Sequence, residues 1–400
     1  MGSVKLVICD LDGTLIDTES LVLEVARGVL AQHGRALTPE ALAASAGRRP
    51  LEAWQATVDA LGLTEASAQQ LYDESEALLK ERWQSAQLMP GAGRLLFHLH
   101  HCGVRVGLAT STPRATMERK LSAPAAQGLR GIFQVTHCGD EVRHGKPAPD
   151  CFRAAAAKLG AAPEDCLVIE DAPSGVQAAA AAGMRVVVVP SLPDRDAYPP
   201  AHPNAASGCV EVLPSLYDFH PERYGLPPFA DTLAHGVVPV EPPWRLKGTV
   251  VKGFGRGSKE LGVPTANLDS ESLQGTLAEM VTGIFSAWAS VGPARPDGSL
   301  TPVYECAMSI GWNPFYKNEK KTAEPWLLHD FDADFYGEEL RLVVVGYIRP
   351  ERNFDSLEAL VARIHEDAAA THEALRSPRL SAAAADPLLQ PQRIAVLAPP

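Results

Sequence analysis

The chain has 400 residues, of which 46% are hydrophobic and 21% charged, and a formal net charge of -12. That balance fits a globular protein of two or three domains and excludes a low-complexity chain. Residues 1–190 carry 18 Lys+Arg against 21 Asp+Glu, and residues 241–372 carry 13 against 19. Neither half has the basic surplus expected of a nucleic-acid binder.

From Val4 to Pro190, short apolar runs alternate with helical stretches. "VKLVIC", "VRVGLAT", "CLVIED" and "RVVVVP" read as buried strands, and "ATMERKLSA", "DCFRAAAAKLG" and "SGVQAAAAAGM" as the helices between them. Such a series predicts an α/β domain, a doubly wound parallel sheet with helices on both faces. Residues from about Glu19 to Leu88 read as a strand-free helical insert. Residues 191–243 are rich in proline and read as a linker partly packed on a domain. From Trp244, "LKGTVVKGF", "GIFSAWASV", "YECAMSIGW" and "LRLVVVGYI" read as strands of a small β-barrel. A helix over "DSLEALVARIHEDAAATHEAL" closes it, with Asp355 and Glu358 at capping-box spacing and Leu357, Leu360, Val361 and Ile364 on one stripe. The stretch "GPARPDGSLTPVYE" reads as a hairpin insertion. That second domain runs over 244–380, and residues 381–400 read as a disordered tail. The seven cysteines include no CxxC pair and point to reduced thiols in the cytoplasm. No run of about 18 apolar residues is present to cross a membrane. The first strand begins at Val4, so no signal or transit segment is expected.

In an open parallel sheet, ligands bind at the carboxyl ends of the strands. Asp10 and Asp12 follow the first strand with no polar buffer, and a carboxylate at the edge of a core asks for a cation or a hydrogen-bond network. Thr110 comes at the next strand end, in "GLATST", Lys146 sits in "GKPAP", and Glu170 and Asp171 close "CLVIED". Asp-Gly alone is often only a turn. The four segments together resemble the haloacid dehalogenase superfamily over residues 1 to about 190, with the helical insert, about 19–88, as its cap. The resemblance implies a phosphatase in which Asp10 is the nucleophile and Asp12 the general acid and base. It further implies that Thr110 and Ser111 bind the phosphoryl oxygens, that Lys146 offsets charge, and that Asp10, the Asp12 carbonyl and Asp171 hold Mg²⁺. Glu170 is either a ligand or a support. The histidines of "FHLHHCG" read as a solvated helix end, since no partner ligands follow at zinc spacing. "GDEVRHGKP" fails as a Walker loop because Pro147 follows the lysine.

In the second domain, Thr265 and Asn267 of "PTAN" face one side of an extended chain and present two neutral oxygens. "GFGRGSKELGVPTANL", "SIGWNPFYKN", "EPWLLHDF" and "DFYGEELRLVVVGYIRPERNFDSLEAL" resemble riboflavin kinase over about 244–375. The resemblance implies a six-stranded barrel that transfers the γ-phosphoryl of ATP to riboflavin, giving FMN. Thr265 and Asn267 would hold Mg²⁺, with Gly253 and Lys259 over the ATP phosphates and His329 and Tyr336 near the nucleotide. Glu324 would be the base, and Arg349, Arg352 and Phe354 would contact the flavin. Trp288 and Trp312 read as core. The order of domains resembles the fused FMN hydrolase/riboflavin kinases of plants and green algae. Alternatives for the first domain are hydrolysis of another phosphate ester, a phosphomutase, or a non-catalytic regulator of the kinase. The mutase is disfavoured because Val22 stands where mutase-like relatives place a histidine.

Overall fold

A computed structural model describes residues 4–45, 50–191, 195–252, 263–269, 273, 277, 280–293, 301–312 and 321–390. The chain forms two compact units, Met1–Pro228 and Phe229–Pro400. Among the described residues, no helix is long and apolar enough to cross a membrane.

The first unit opens with β1 (Leu6–Cys9), whose four residues are all buried. β2 (Ile16–Asp17) leads into the helices α1 (Glu19–Gln32), α2 (Pro39–Ser45), α3 (Pro50–Leu61) and α4 (Ala68–Arg82), and β3 (Gln87–Leu88) leads out of them. β2 and β3 pair antiparallel, Ile16 against Leu88, so the insert contains one short strand that its helical pattern did not announce. α5 (Ala92–His101), β4 (Arg105–Ala109), α6 (Arg114–Leu121), β5 (Val135–His137), α7 (Asp150–Lys158), β6 (Cys166–Glu170), α8 (Pro173–Ala182), β7 (Arg185–Val188) and β8 (Gly208–Val212) follow. The parallel sheet runs in the order β5-β4-β1-β6-β7-β8. Leu6, Ile8, Val168 and Val186 of its central strands pack with Phe152, Ala155 and Val176 of the flanking helices. Their burial is what makes the sheet a rigid base.

β8 corrects the reading of 191–243 as linker. Cys209 and Val210 are buried in the sheet, and Leu216, Phe219 and Tyr224 beyond it are buried as well. Prolines set the turns between these elements but do not keep them from packing.

The second unit contains β9 (Val238–Val251), β10 (Asn267–Leu268), β11 (Gly283–Val291), β12 (Tyr304–Trp312), β13 (Lys321–Leu327) and β14 (Glu339–Arg349). Its antiparallel sheet runs β10-β9-β14-β11-β12-β13, and Ala266 N donates to Pro325 O at 2.8 Å, which joins the two ends into a near-barrel. The first strand starts at Val238, six residues before the boundary expected at Trp244. The helix α9 (Leu357–Leu375) is capped by Ser356, whose Oγ accepts from Ala359 N, and not by Asp355. Its buried face is Asp367, Ala370, Thr371, Ala374 and Leu375, towards the C-terminal half, while Leu357 at its start is 52% exposed.

The tail is a further correction up to Gln390. The one-turn helix α10 (Pro378–Ser381) and two 3₁₀ turns carry the chain to Leu389, which is fully buried. Leu389 O accepts from Ser290 Oγ at 2.7 Å, and Trp288 Nε1 donates to Leu380 O at 3.0 Å. A run of alanines lacks periodicity, yet the buried Leu389, the Ser290–Leu389 and Thr301–Gln390 bonds and the Arg245–Asp386 ion pair hold it.

Candidate active sites

The first site lies where β1, β4 and β6 end. Asp10 directly follows β1, Glu170 is the last residue of β6, and Asp171 follows it. Asp10 is 6% exposed, Glu170 1% and Asp171 5%. Lys146 answers them: its Nζ bonds Asp10 Oδ1, and Glu170 Oε1 at 2.7 Å, above the Phe152 ring at 4.8 Å. Glu170 Oε2 accepts from the Asp171 and Ala172 backbone N–H groups at 2.8 and 2.7 Å. Both of its oxygens are therefore engaged by the protein. Asp171 Oδ1 accepts from Thr14 Oγ1 at 2.7 Å.

Two glycines are required here. Gly13 has φ +78, and a Cβ on it would lie 2.3 Å from Asp171 Oδ2; one on Gly175 would lie 1.6 Å from Glu170 Oε1. Burial drives the Asp10 carboxyl up to about 7, and Glu170 and Asp12 add to the rise while Lys146 opposes it. Asp171 is raised too, first by burial and then by Glu170 and Asp10. Burial would lower Lys146, but the facing Asp10 and Glu170 outweigh it and hold the ammonium above its ordinary range. Three buried carboxyls thus face one ammonium. The edge is short of positive charge, and its donors are hard oxygens, which suits Mg²⁺. Among the described residues, no three His, Cys, Asp or Glu side chains form a cage.

Thr110 is buried at the end of β4, and its Oγ1 accepts from Thr112 N at 3.0 Å. Ser111 is exposed, and its backbone presses on Gly139, where a Cβ would stand 2.1 Å from Ser111 O. Asp12 is held by Thr112, the last residue of "GLATST", whose Oγ1 donates to Oδ2 at 2.5 Å, and by Lys120, outside every motif, whose Nζ donates to Oδ1 at 2.5 Å. Nothing in the sequence marks Lys120, since a lysine near a helix end ordinarily reads as solvated. The histidines of α5 do stay at a helix end, where His98 Nε2 bonds Pro227 O at 2.8 Å.

The second site lies on the near-barrel. Glu324, half-buried on β13, pairs in register with Ser309, and Thr322 Oγ1 lies 3.5 Å from its Oε1. The Ala266–Pro325 bond brings Thr265 and Asn267 beside it. Glu351 was not expected there. Although the residue as a whole is exposed, its carboxyl is tucked against Gly311, where a Cβ would fall 2.0 Å from Oε1. That local burial raises it, with Glu324 among the contributing charges. His329 packs on Tyr304 and Phe331 with ring centres 4.7 and 4.9 Å away, and Tyr336 is half exposed. Arg352 stands 4.7 Å over the Phe354 ring. Arg349 is anchored within the protein: its Nε and Nη2 grip the buried Asp367, at 2.7 Å for Nη2, and Nη1 donates to Pro350 O. Its bidentate edge is occupied within the protein. Gly253, Lys259, most of "SIGWNPFYKN", and the middle of the expected hairpin insertion lie outside the described residues.

A parallel sheet with this acidic edge, followed by a near-barrel of this order, defines a haloacid dehalogenase-like hydrolase joined to a riboflavin kinase. Family models agree: the haloacid dehalogenase-like hydrolase model matches residues 4–183 and the riboflavin kinase model residues 240–375. The chain is 42% identical over 383 residues to the bifunctional riboflavin kinase/FMN phosphatase of Arabidopsis thaliana, covering 96% of each chain. It belongs to the bifunctional riboflavin kinase/FMN phosphatase family. The riboflavin kinase of Homo sapiens is 47% identical over 136 residues, 34% of this chain and 83% of that one. The (DL)-glycerol-3-phosphatase 1 of Arabidopsis thaliana is 40% identical over 240 residues, 58% of this chain and 76% of that one.

Proposed function

We propose that the second unit makes FMN from riboflavin and ATP, and that the first unit hydrolyses FMN to riboflavin and phosphate. The observation that carries this reading is the end-to-end match to a relative that bears both activities in its name. In the first unit, Asp10 attacks phosphorus while Asp12 protonates the leaving ribityl oxygen, giving riboflavin and an aspartyl phosphate. Water then attacks that phosphate, Asp12 takes its proton, and Asp10 is freed. Lys146 balances the charge on Asp10 and the phosphoryl group, and Thr110 and Ser111 bind its oxygens. Mg²⁺, when bound by Asp10, the Asp12 carbonyl and Asp171, draws charge from the phosphoryl oxygens.

In the second unit, Glu324 takes the proton of the ribityl hydroxyl that attacks the γ-phosphorus. Thr265 and Asn267 supply oxygens to the Mg²⁺ of MgATP, and Gly253 and Lys259 cover its phosphates. His329 and Tyr336 flank the nucleotide. Arg352 and Phe354 meet the flavin, while Arg349 braces that surface through Asp367.

A second reading of the first unit deserves a test because its match to glycerol-3-phosphatases is 40%. It would then hydrolyse a three-carbon ester. The deciding experiment gives the full chain FMN and glycerol 3-phosphate separately and compares kcat/KM. A preference for FMN supports the proposal, and turnover of glycerol 3-phosphate with none of FMN replaces it. The mutase reading finds no support: Val22 is 44% exposed on α1 and brings no acid or base.

A further inference from the structure

Lys120 belongs to none of the motifs, yet it is a buried lysine at the phosphatase site. It lies in the last turn of α6, with its side chain 6% exposed. An ammonium so far from water must be met by partners. Its Nζ donates to Asp12 Oδ1 at 2.5 Å and to Thr112 Oγ1 at 3.3 Å, and stands 4.3 Å from the centre of the Trp83 ring. Trp83 is itself buried and directly follows α4, the last helix of the insert. The other oxygen of Asp12 accepts from Thr112 Oγ1 at 2.5 Å and from Thr110 Oγ1 at 3.5 Å. Both oxygens of Asp12 are thus held, although its side chain remains 28% exposed towards the opening of the site.

The site therefore has two buried lysines, each on one of the two motif aspartates. Lys146 pairs with Asp10 and is placed by the loop before α7, whereas Lys120 pairs with Asp12 and is placed by α6 and the end of the cap. A carboxyl that gives up a proton and takes one back must hold one orientation through two steps, and a misplacement of about 1 Å costs on the order of 10²-fold in rate.

We propose that Lys120 is a positioning residue of the phosphatase. It fixes the carboxyl of Asp12 where that group meets the leaving oxygen and then the water, and it ties this orientation through Trp83 to the end of the cap. Lys120 keeps its own protons throughout; the proton moves from Asp12 to the ester oxygen, and later from water to Asp12. The inference rests on the reading of Asp12 as acid and base.

The test exploits the leaving group. FMN and glycerol 3-phosphate leave as alkoxides and need a proton, whereas p-nitrophenyl phosphate leaves as a weakly basic phenolate and needs little help. In the full chain, Lys120→Met should lower kcat on whichever alkyl ester the wild type hydrolyses by roughly 30-fold or more, with KM within about threefold. The first-turnover burst of p-nitrophenolate should stay within about threefold of wild type. Lys120→Gln, which keeps the length without the charge, carries the same readout if the methionine variant does not fold. Equal losses on both ester classes, or no loss on either, would overturn the proposal. Asp12→Asn is run alongside. If it leaves alkyl-ester hydrolysis intact, the reading of Asp12 is at fault and the role of Lys120 falls with it. If it abolishes hydrolysis while Lys120→Met has no effect, only the Lys120 proposal fails.

Discussion

The two candidate sites handle the same phosphoryl group with opposite economies of charge. In the first unit the ionisable groups are built into the protein and buried: Asp10, Lys146, Glu170 and Asp171 all sit at the edge of a rigid sheet. In the second unit the named groups are half-buried or exposed, with Glu324 on an open strand and His329, Tyr336 and Arg352 in contact with water. A nucleophile that forms a bond to phosphorus must be fixed before the substrate arrives. A kinase aligns two substrates, and ATP with its metal brings much of the charge. The difference teaches where each unit should be fragile.

The strongest way to break this comparison is to remove one group from each site. Asp10→Asn removes the carboxylate proposed as nucleophile and should lower phosphate release by at least about 10³-fold, while the initial rate of FMN synthesis stays unchanged. Glu324→Gln should lower FMN synthesis by about 10²- to 10⁴-fold and leave phosphate release unchanged. The two are measured as initial rates in separate assays on the same preparations, phosphate release from added FMN and FMN formation from riboflavin and MgATP before product is hydrolysed. Cross-effects in either variant would mean that the two activities are not carried by separate residues.

Arginines sharpen the contrast inside the second unit. Arg349→Ala leaves Asp367 buried with Arg363 as its remaining ion-pair partner, and should destabilise the chain by about 3 kcal/mol. Arg352→Ala removes an exposed side chain, should cost within about 0.5 kcal/mol, and should act on the KM for riboflavin. Urea unfolding and kinase kinetics separate the two. If Arg349→Ala changes KM alone, its bond to Asp367 is incidental.

A backbone substitution probes the buried site from the side. Gly175→Ala would set a Cβ 1.6 Å from Glu170 Oε1. That carboxyl cannot swing away freely, because Lys146 and two backbone N–H groups pin it. Its displacement shifts Lys146 and should slow hydrolysis by roughly 10- to 100-fold, with the kinase unaffected. Hydrolysis within about twofold of wild type would show that Glu170 has slack.

Much of this was legible because strand ends and motifs coincide. The four apolar runs of the first domain are β1, β4, β6 and β7; Asp10, Thr110, Glu170 and Asp171 fall at or just beyond the ends of the first three, whereas Lys146 comes from the loop before α7. What escaped was short or non-local. β5 is three residues long and interrupted by Thr136 and His137, so it has no apolar run to read, and β8 hides behind prolines. Lys120 and Thr112 reach Asp12 across 108 and 100 residues of chain, a closeness that no spacing rule encodes. Ser356 won the helix cap over its neighbour Asp355 because only the serine hydroxyl sits opposite Ala359 N. Arg349 carries its motif's identity, but its partner is set by how α9 lies on the barrel.

A last expected effect concerns pH and the metal together. Asp10 sits at about 7 in the fold against an ordinary 3.8, so between these values the folded protein holds a proton that the unfolded chain has lost. Stability from this proton is complete below about pH 4 and is lost as pH rises through about 7. Asp171 moves in the same direction, while Lys146, raised above its ordinary range, stays charged across this window and adds no slope. Without metal, then, the first unit should be more stable at pH 5 than at pH 8. Bound Mg²⁺ should flatten the difference by supplying positive charge where the proton is lost. Melting curves at the two pH values, with chelator or with Mg²⁺, measure this, at about 2–4 °C per kcal/mol for a unit of this size. Asp10→Asn removes the titrating group, so its metal-free curves should differ less between the two pH values than those of the wild type. An equal difference in both proteins would mean that the slope comes from other groups, and that the buried carboxyls of the sheet edge are not what the metal relieves.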